Sequence, residues 1–193
     1  QFNGWIESNG EHDIPRLNVE AIKMFQTIGQ AELDKGNNVS DWKEIVDFAN
    51  GVDTLNISEE EGGQINQYGH KAGELIGELK TAGDDEFRMP FRNPVDMVSG
   101  SLTGSITANG LIESGIEDIA LTDSLDKIKL PTLLLWGKYV FVVPPQLGYD
   151  AEKLIGTTDK ELVMYEFSDH SPMNGEGEAY AAYILRFINN HLK

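Results

Sequence analysis

The chain has 193 residues, a length that fits one domain. Lys and Arg number 15 against 32 Asp and Glu, so the formal net charge is −17 and neither a nucleic-acid nor an anionic-membrane partner is expected. Hydrophobic residues make up 40% of the chain, enough for a packed core. The lack of cysteine excludes disulfides, thiolate nucleophiles and Cys-ligated metal centres, and no apolar run approaches the ~20 residues of a membrane span.

The first two-thirds of the chain carry the apolar spacing of helices. Asn18 is the predicted N-cap of the first helix, because a side-chain oxygen there can accept from a free backbone N–H. Ser58 and Glu61 form a predicted capping box for the third. The predicted helices are, in chain order, about 19–34, 41–50 and 58–80.

After about residue 121 the pattern changes to alternating strands and helices. The apolar run 130–136, with Gly137 behind it, is typical of a strand buried on both faces of a parallel sheet. A second strand is predicted over 161–167. Helices are predicted over about 145–154 and 176–192, so the order is the βαβ alternation of an α/β fold.

Two buried strands do not make a stable sheet alone. Residues 2–6 can supply the end of one more strand. Either further strands lie outside this chain, or some of the predicted helices are strands. We favour the first interpretation.

Two C-terminal segments carry recognisable motifs. Residues 131–145 read P-T-L-L-L-W-G-K-Y-V-F-V-V-P-P, and residues 167–173 read F-S-D-H-S-P-M. Together they resemble the C-terminal third of α/β-hydrolases, more narrowly the lid-bearing branch that includes proline iminopeptidases and small esterases. In that family the first segment holds the penultimate strand and the catalytic Asp loop, and the second holds the catalytic His.

The resemblance implies an α/β-hydrolase fold represented by a helical lid plus the last two parallel strands and their helices. Its implied activity is hydrolysis of a small-molecule ester or amide through a Ser–His–acid triad, with no metal and no organic cofactor. The remainder of the hydrolase core is the expected partner, and the cytoplasm is the default location. The expected divisions are 1–16 for the pre-lid strand and entry loop, 17–120 for the lid and 121–193 for the core.

His170 is the candidate catalytic base. It follows a buried-type strand and precedes Ser171 and Pro172, so it lies on a loop at a strand's carboxyl end, where α/β sites form. A triad needs an imidazole there, first as base and then as acid. The alternative is a surface-loop histidine without a role in chemistry.

Val140 stands where the family has its catalytic Asp. Valine can neither orient an imidazole nor stabilise its protonated form, and loss of the acid costs roughly 10⁴ in turnover in serine proteases. One interpretation is an inactivating substitution. Another is an acid supplied from elsewhere, with Glu7 and Asp13 near the pre-lid strand as candidate replacements. The third is a catalytically decayed protein that binds a ligand or partner.

The nucleophile motif G-x-S-x-G does not occur in the sequence. Residues 100–104 have Leu at the centre of the pattern, and residues 69–73 have Lys and lie inside a predicted helix. The family places the motif before the lid, so the serine and the oxyanion-hole amides are expected before Gln1. The same expectation accounts for the missing strands and for a start without Met.

The remaining candidates are substrate contacts and a metal pair. His12 is a candidate contact for a polar substrate group, with an ordinary loop residue as the alternative. Phe87 and Phe91 are candidates for an acyl or aromatic pocket, with lid core as the alternative. His70 and Glu74 have the i,i+4 spacing of a metal pair, but an exposed ionic pair is commoner and no metal site is predicted.

Overall fold

The central strand of the sheet is the one that carries the continuous apolar run 133–136. The computed structural model describes residues 2–76 and 120–191, and within them the sheet has three parallel strands in the order β1-β2-β3. β2 (Thr132–Gly137) is buried along its whole length between β1 (Trp5–Ser8) and β3 (Lys160–Tyr165). The predicted α/β class and the additional N-terminal strand are confirmed.

Side chains of β2 alternate between two covered faces, as the pleat requires. Leu134 packs on one face with Leu125 and Ala151, which belong to a 3₁₀ helix (Thr122–Lys127) and to the helix after β2. Leu133 and Leu135 pack on the other face beside the C-terminal helix. The sheet is therefore a middle layer. The helices that follow β2 in the chain are α5 (Pro145–Leu154), α6 (Pro172–Gly175) and α7 (Gly177–His191).

Between β1 and β2 the chain forms a set of helices, here called the helical layer. It consists of α1 (Ile14–Met24), a π-helical turn (Phe25–Gly29), α2 (Gln30–Lys35), α3 (Val39–Gly51) and α4 (Glu59–Leu75). The capping box of Ser58 and Glu61 at the start of α4 is confirmed. Residues 77–119 lie outside the described residues.

The predicted start of the first helix is wrong. Asp13, not Asn18, is the N-cap, and its carboxylate accepts from the backbone N–H of Arg16 at 3.1 Å. Pro15 occupies the first turn, where its missing N–H costs nothing. Leu17 precedes Asn18 and so lay outside the predicted helix, but it is a buried residue of the observed one.

One aromatic side chain from the loop after β2 belongs to the core of the helical layer. Phe141 is 1% exposed and lies among buried residues of α1, α3 and α4. Its ring stacks on Phe25 at a centroid distance of 5.9 Å and is tilted against Trp42 at 6.2 Å. This contact fixes the helical layer to the carboxyl end of the sheet.

The two described chain segments that border the helical layer run side by side. Asp13 and Ala120 form an antiparallel bridge, and the Leu121 N–H donates to the His12 carbonyl at 2.6 Å. The Thr122 hydroxyl donates to the Asp13 carboxylate, also at 2.6 Å.

Among the described helices none combines the length and apolar character that crossing a bilayer requires.

Candidate active site

The loop after β3, residues 166–171, brings His170 to the carboxyl edge of the sheet, and is here called the His170 loop. Its backbone is tied down at several points. The Tyr139 N–H donates to the Ser168 carbonyl at 3.1 Å. The Glu176 carboxylate accepts from the Ser168 hydroxyl at 2.6 Å and from the Phe167 N–H at 3.1 Å. The loop is therefore held rigidly while the His170 side chain remains exposed.

Gly137 allows this loop to lie directly against the end of β2. A Cβ atom at this position would be 2.0 Å from the Asp169 carbonyl oxygen and 2.6 Å from that of Ser168. No side chain fits in that space. The close packing of the His170 loop against β2 thus requires glycine at position 137.

Asn9, just beyond the end of β1, was missed by the sequence analysis. It is 4% exposed, and its side-chain amide donates to the His170 carbonyl at 2.8 Å. The same side chain accepts from the Gly137 N–H at 3.1 Å. Its one sequence signal is an Asn-Gly pair three residues after the strand end predicted over 2–6, which marks a turn but gives no hint of these partners.

His170 and Val140 line the same cleft, so the structure brings together the two positions that the sequence analysis predicts as the base and the vacant acid site. The cleft has a volume of about 190 Å³. Val140 is 1% exposed and packs with Leu17, Trp136 and Val143. The cleft is lined by Gly69, His70, Gly73 and Glu74 from α4, by 139–142 from the loop after β2, and by Asp169 and His170.

Among the described residues no carboxylate is hydrogen-bonded or ion-paired to the His170 imidazole. The candidate replacement acids have other partners. Glu7 accepts from the Trp5 indole N–H at 3.0 Å and pairs with His12. Asp13 caps α1 and accepts from Thr122. As an orienting acid for His170, each of the two stays a prediction.

His12 is buried instead of facing the cleft. It is 8% exposed, it pairs with Glu7, and its ring lies 5.8 Å from that of Trp136. Its proposed substrate contact stays a prediction, as do those of Phe87 and Phe91, which lie outside the described residues. Within 2–76 and 120–191, no three His, Asp or Glu side chains are grouped so as to hold a metal ion.

No protein-family model matches the chain. Over 70 residues it is 36% identical to the pimeloyl-[acyl-carrier protein] methyl ester esterase of Neisseria meningitidis, in two serogroup B strains, a match that covers 36% of this chain and 26% of the esterase. This chain is similar to α/β-hydrolase esterases.

Solved structures give likenesses of the same kind. An α/β hydrolase from a Medee basin deep-sea metagenome is 17% identical with a TM-score of 0.44, over 95% of this chain and 55% of that one. A thermophilic esterase from Thermogutta terrifontis is 14% identical with a TM-score of 0.43, over 98% and 57%. An esterase from Exiguobacterium antarcticum is 18% identical with a TM-score of 0.41, over 68% and 48%. The likenesses thus span about half of those chains.

Proposed function

We propose that this chain is the lid-bearing, C-terminal part of a serine ester hydrolase, with His170 as the general base. The observation that carries the proposal is the presentation of His170. Its loop is fixed by hydrogen bonds from three sides, yet its imidazole is exposed in a cleft under α4. The helical layer, α1 to α4, acts as the lid over that cleft, and the lid was expected within residues 17–120.

The chemistry asked of His170 is two proton transfers. The imidazole takes the proton of a serine hydroxyl as the oxygen attacks the ester carbonyl, and it then gives that proton to the leaving alcohol. In deacylation the imidazole takes a proton from water as the water oxygen attacks the acyl-enzyme carbonyl, and it returns that proton to the serine oxygen as the carboxylic acid leaves. A base held by a fixed loop lowers the entropy cost of reaching the reactive geometry.

The serine is proposed to come from outside this chain, because the sequence has no G-x-S-x-G motif. The free edge of β1 supports this. Among the described residues β1 pairs with β2 alone, and Trp5 and Ile6 are 45% and 38% exposed on it. Parallel sheets are normally covered, so we propose that the remaining strands of the core continue the sheet at this edge.

The test uses the protein expressed from the longest reading frame that encodes this chain. We expect it to react with a fluorophosphonate probe, which labels an activated serine, and His170→Ala to lower the labelling rate at least tenfold. The 193-residue chain alone should give no turnover of p-nitrophenyl butyrate. A robust rate from the chain alone that His170→Ala abolishes would contradict the fragment proposal.

The acid position has its own test in the same protein. Val140→Asp places a carboxylate in the cleft that His170 lines, and we expect ester turnover to rise at least tenfold, a small part of the roughly 10⁴ that the acid supplies in serine proteases. A smaller rise means that Val140 is not the vacant acid position. Glu7→Gln and Asp13→Asn then show whether either replacement candidate serves instead.

A second function is favoured by the burial of Val140 in an apolar cluster beside a retained cleft. We propose as the alternative a decayed hydrolase that binds a small ester without cleaving it. Gly73 lines the cleft, and an added Cβ there meets nothing within 4 Å, so Gly73→Leu fills the space without a backbone clash. Binding of ethyl butyrate that Gly73→Leu removes, with no turnover even in Val140→Asp, supports this alternative.

A further inference from the structure

We propose that Asn9 is a positioning residue for His170, because its side-chain amide joins the end of β1 to the His170 loop. The catalytic meaning of this role rests on the proposed function. The positioning itself does not, because it concerns the place of the loop in the folded chain.

The amide of Asn9 is used at both ends. Its nitrogen donates to the His170 carbonyl at 2.8 Å, and its oxygen accepts from the Gly137 N–H at 3.1 Å. The Asn9 backbone N–H donates to the Leu135 carbonyl at 3.0 Å and so extends the β1–β2 ladder. Two opposite partners fix which way the amide points, and 4% exposure keeps water from competing.

The backbone of Asn9 shows why few residues can stand here. Its φ of 47° is in the left-handed region, which glycine, asparagine and aspartate tolerate best. The next residue is Gly10, where a Cβ would lie 2.1 Å from the Glu7 carboxylate. Glycine at position 9 would tolerate the positive φ but would lose both side-chain hydrogen bonds, here called the Asn9 bridge. Aspartate would keep the acceptor for Gly137 but set a carboxylate oxygen against the His170 carbonyl.

Other anchors of the His170 loop act on its neighbours. Glu176 holds Phe167 and Ser168, and the Tyr139 N–H also binds Ser168. In the described parts of the chain, Asn9 is the side chain that hydrogen-bonds to His170 itself. Loss of the Asn9 bridge should therefore displace His170 while the start of the loop keeps its place.

The test compares Asn9→Gly and Asn9→Asp with a matched control, Asn38→Gly. Asn38 also has a positive φ, of 39°, and it lies in the helical layer with a longer contact of 3.4 Å to the Leu75 carbonyl. In the 193-residue chain, NMR follows the His170 ring signals and the hydrogen exchange of the Gly137 amide. These readouts need no turnover, so they succeed or fail independently of the hydrolase proposal.

We expect Asn9→Gly to shift the His170 ring signals and to speed Gly137 exchange at least tenfold. Asn9→Asp should shift the ring signals but keep Gly137 protected. Lowering the pH protonates the introduced carboxyl, whose O–H can then donate to the His170 carbonyl and return the ring signals toward those of the parent chain at the same pH. In the full-length protein, Asn9→Gly should lower kcat ~10²-fold with KM within twofold.

The proposal is overturned if Asn9→Gly folds and leaves both NMR readouts as Asn38→Gly does. It is also overturned if Asn9→Asp shows no recovery of the His170 ring signals on acidification. If Asn9→Gly does not fold, the isosteric Asn9→Asp variant decides the question alone. Unchanged kcat together with the expected NMR shifts would contradict the catalytic role of His170 and leave the positioning intact.

Discussion

Val140 is a residue at which the substitution proposed to supply a catalytic acid conflicts with packing. It is 1% exposed and surrounded by Leu17, Trp136 and Val143, so a carboxylate there loses its hydration. We expect Val140→Asp to lower the free energy of unfolding by about 3 kcal/mol near pH 8, measured by urea denaturation. The loss should shrink toward pH 5, because burial raises the pKa of the introduced carboxyl and favours its neutral form.

Val140→Thr is the control for this substitution, since it keeps the shape and replaces one methyl group by a hydroxyl, at an expected cost of about 1–2 kcal/mol. Equal stability of the Asp variant and the parent at pH 8 would contradict the expectation. It would mean that a hydrogen bond from the His170 imidazole to the introduced carboxylate offsets the loss of hydration.

A second prediction concerns the contact of Gly137 with the His170 loop. Gly137→Ala puts a methyl group 2.0 Å from the Asp169 carbonyl, so strand and loop must separate, and we expect a loss of about 1–3 kcal/mol. Gly63→Ala is the matched control in α4, where the added methyl meets nothing within 4 Å and helix propensity should add about 0.5–1 kcal/mol. Thermal unfolding of both variants checks the opposite signs, and equal effects would contradict the steric account.

Single residues also show the limit of prediction from sequence. The place of His170 on a loop after a strand follows from local pattern and motif. The role of Asn9 does not, because its partner His170 is 161 positions away and its donor Gly137 is 128 away. Contacts of that separation are created by the sheet, which local patterns do not specify.

At the scale of elements, α3 and α4 are tied by a charge cluster. Lys71 lies 2.9 Å from the Asp41 carboxylate and 2.6 Å from that of Glu44. The hydrogen bonds that Lys71 and Tyr68 donate hold the pKa of Glu44 below its ordinary 4.5. A carboxylate with a lowered folded-state pKa stabilises fully above its unfolded pKa, and the contribution is lost as the pH falls through the folded one.

We therefore expect acidification from about pH 6 to about pH 3 to lower the thermal midpoint of the chain, and Glu44→Gln to make that fall shallower. Far-UV circular dichroism measures both. Glu152→Gln on α5, remote from α3 and α4, is the control and should leave the pH dependence as it is in the parent. An unchanged slope in Glu44→Gln would show that this cluster does not contribute.

Element boundaries were predictable where the signal was local. β2, α5 and the Ser58 cap follow from an apolar run, a Pro pair and a capping box. The predicted start of α1 was wrong because Asp13 and Asn18 are both good capping residues, and local sequence does not choose between them. The choice between them depends on a tertiary partner, since the Asp13 carboxylate also accepts from Thr122 across the border of the helical layer.

At the scale of the whole molecule, the exposed edge of β1 governs how the separate chain behaves. Trp5 and Ile6 are partly exposed beside unpaired backbone groups, an arrangement that favours edge-to-edge association. We expect the 193-residue chain to form concentration-dependent oligomers in light scattering and Ile6→Lys to reduce them. Val39→Lys changes a residue 50% exposed in the helical layer and should leave the mass unchanged. If both variants behave alike, the association does not involve β1.

The Phe141 side chain joins the loop after β2 to the helical layer. Its ring is inserted between Phe25 and Trp42, so the helical layer cannot swing outward without either withdrawing that ring or pulling residues 139–143 along with it. Outward movement of the helical layer and displacement of residues 139–143 are therefore coupled. The backbone next to Val140 is thus held in place by the packing of Phe141, whatever side chain stands at position 140.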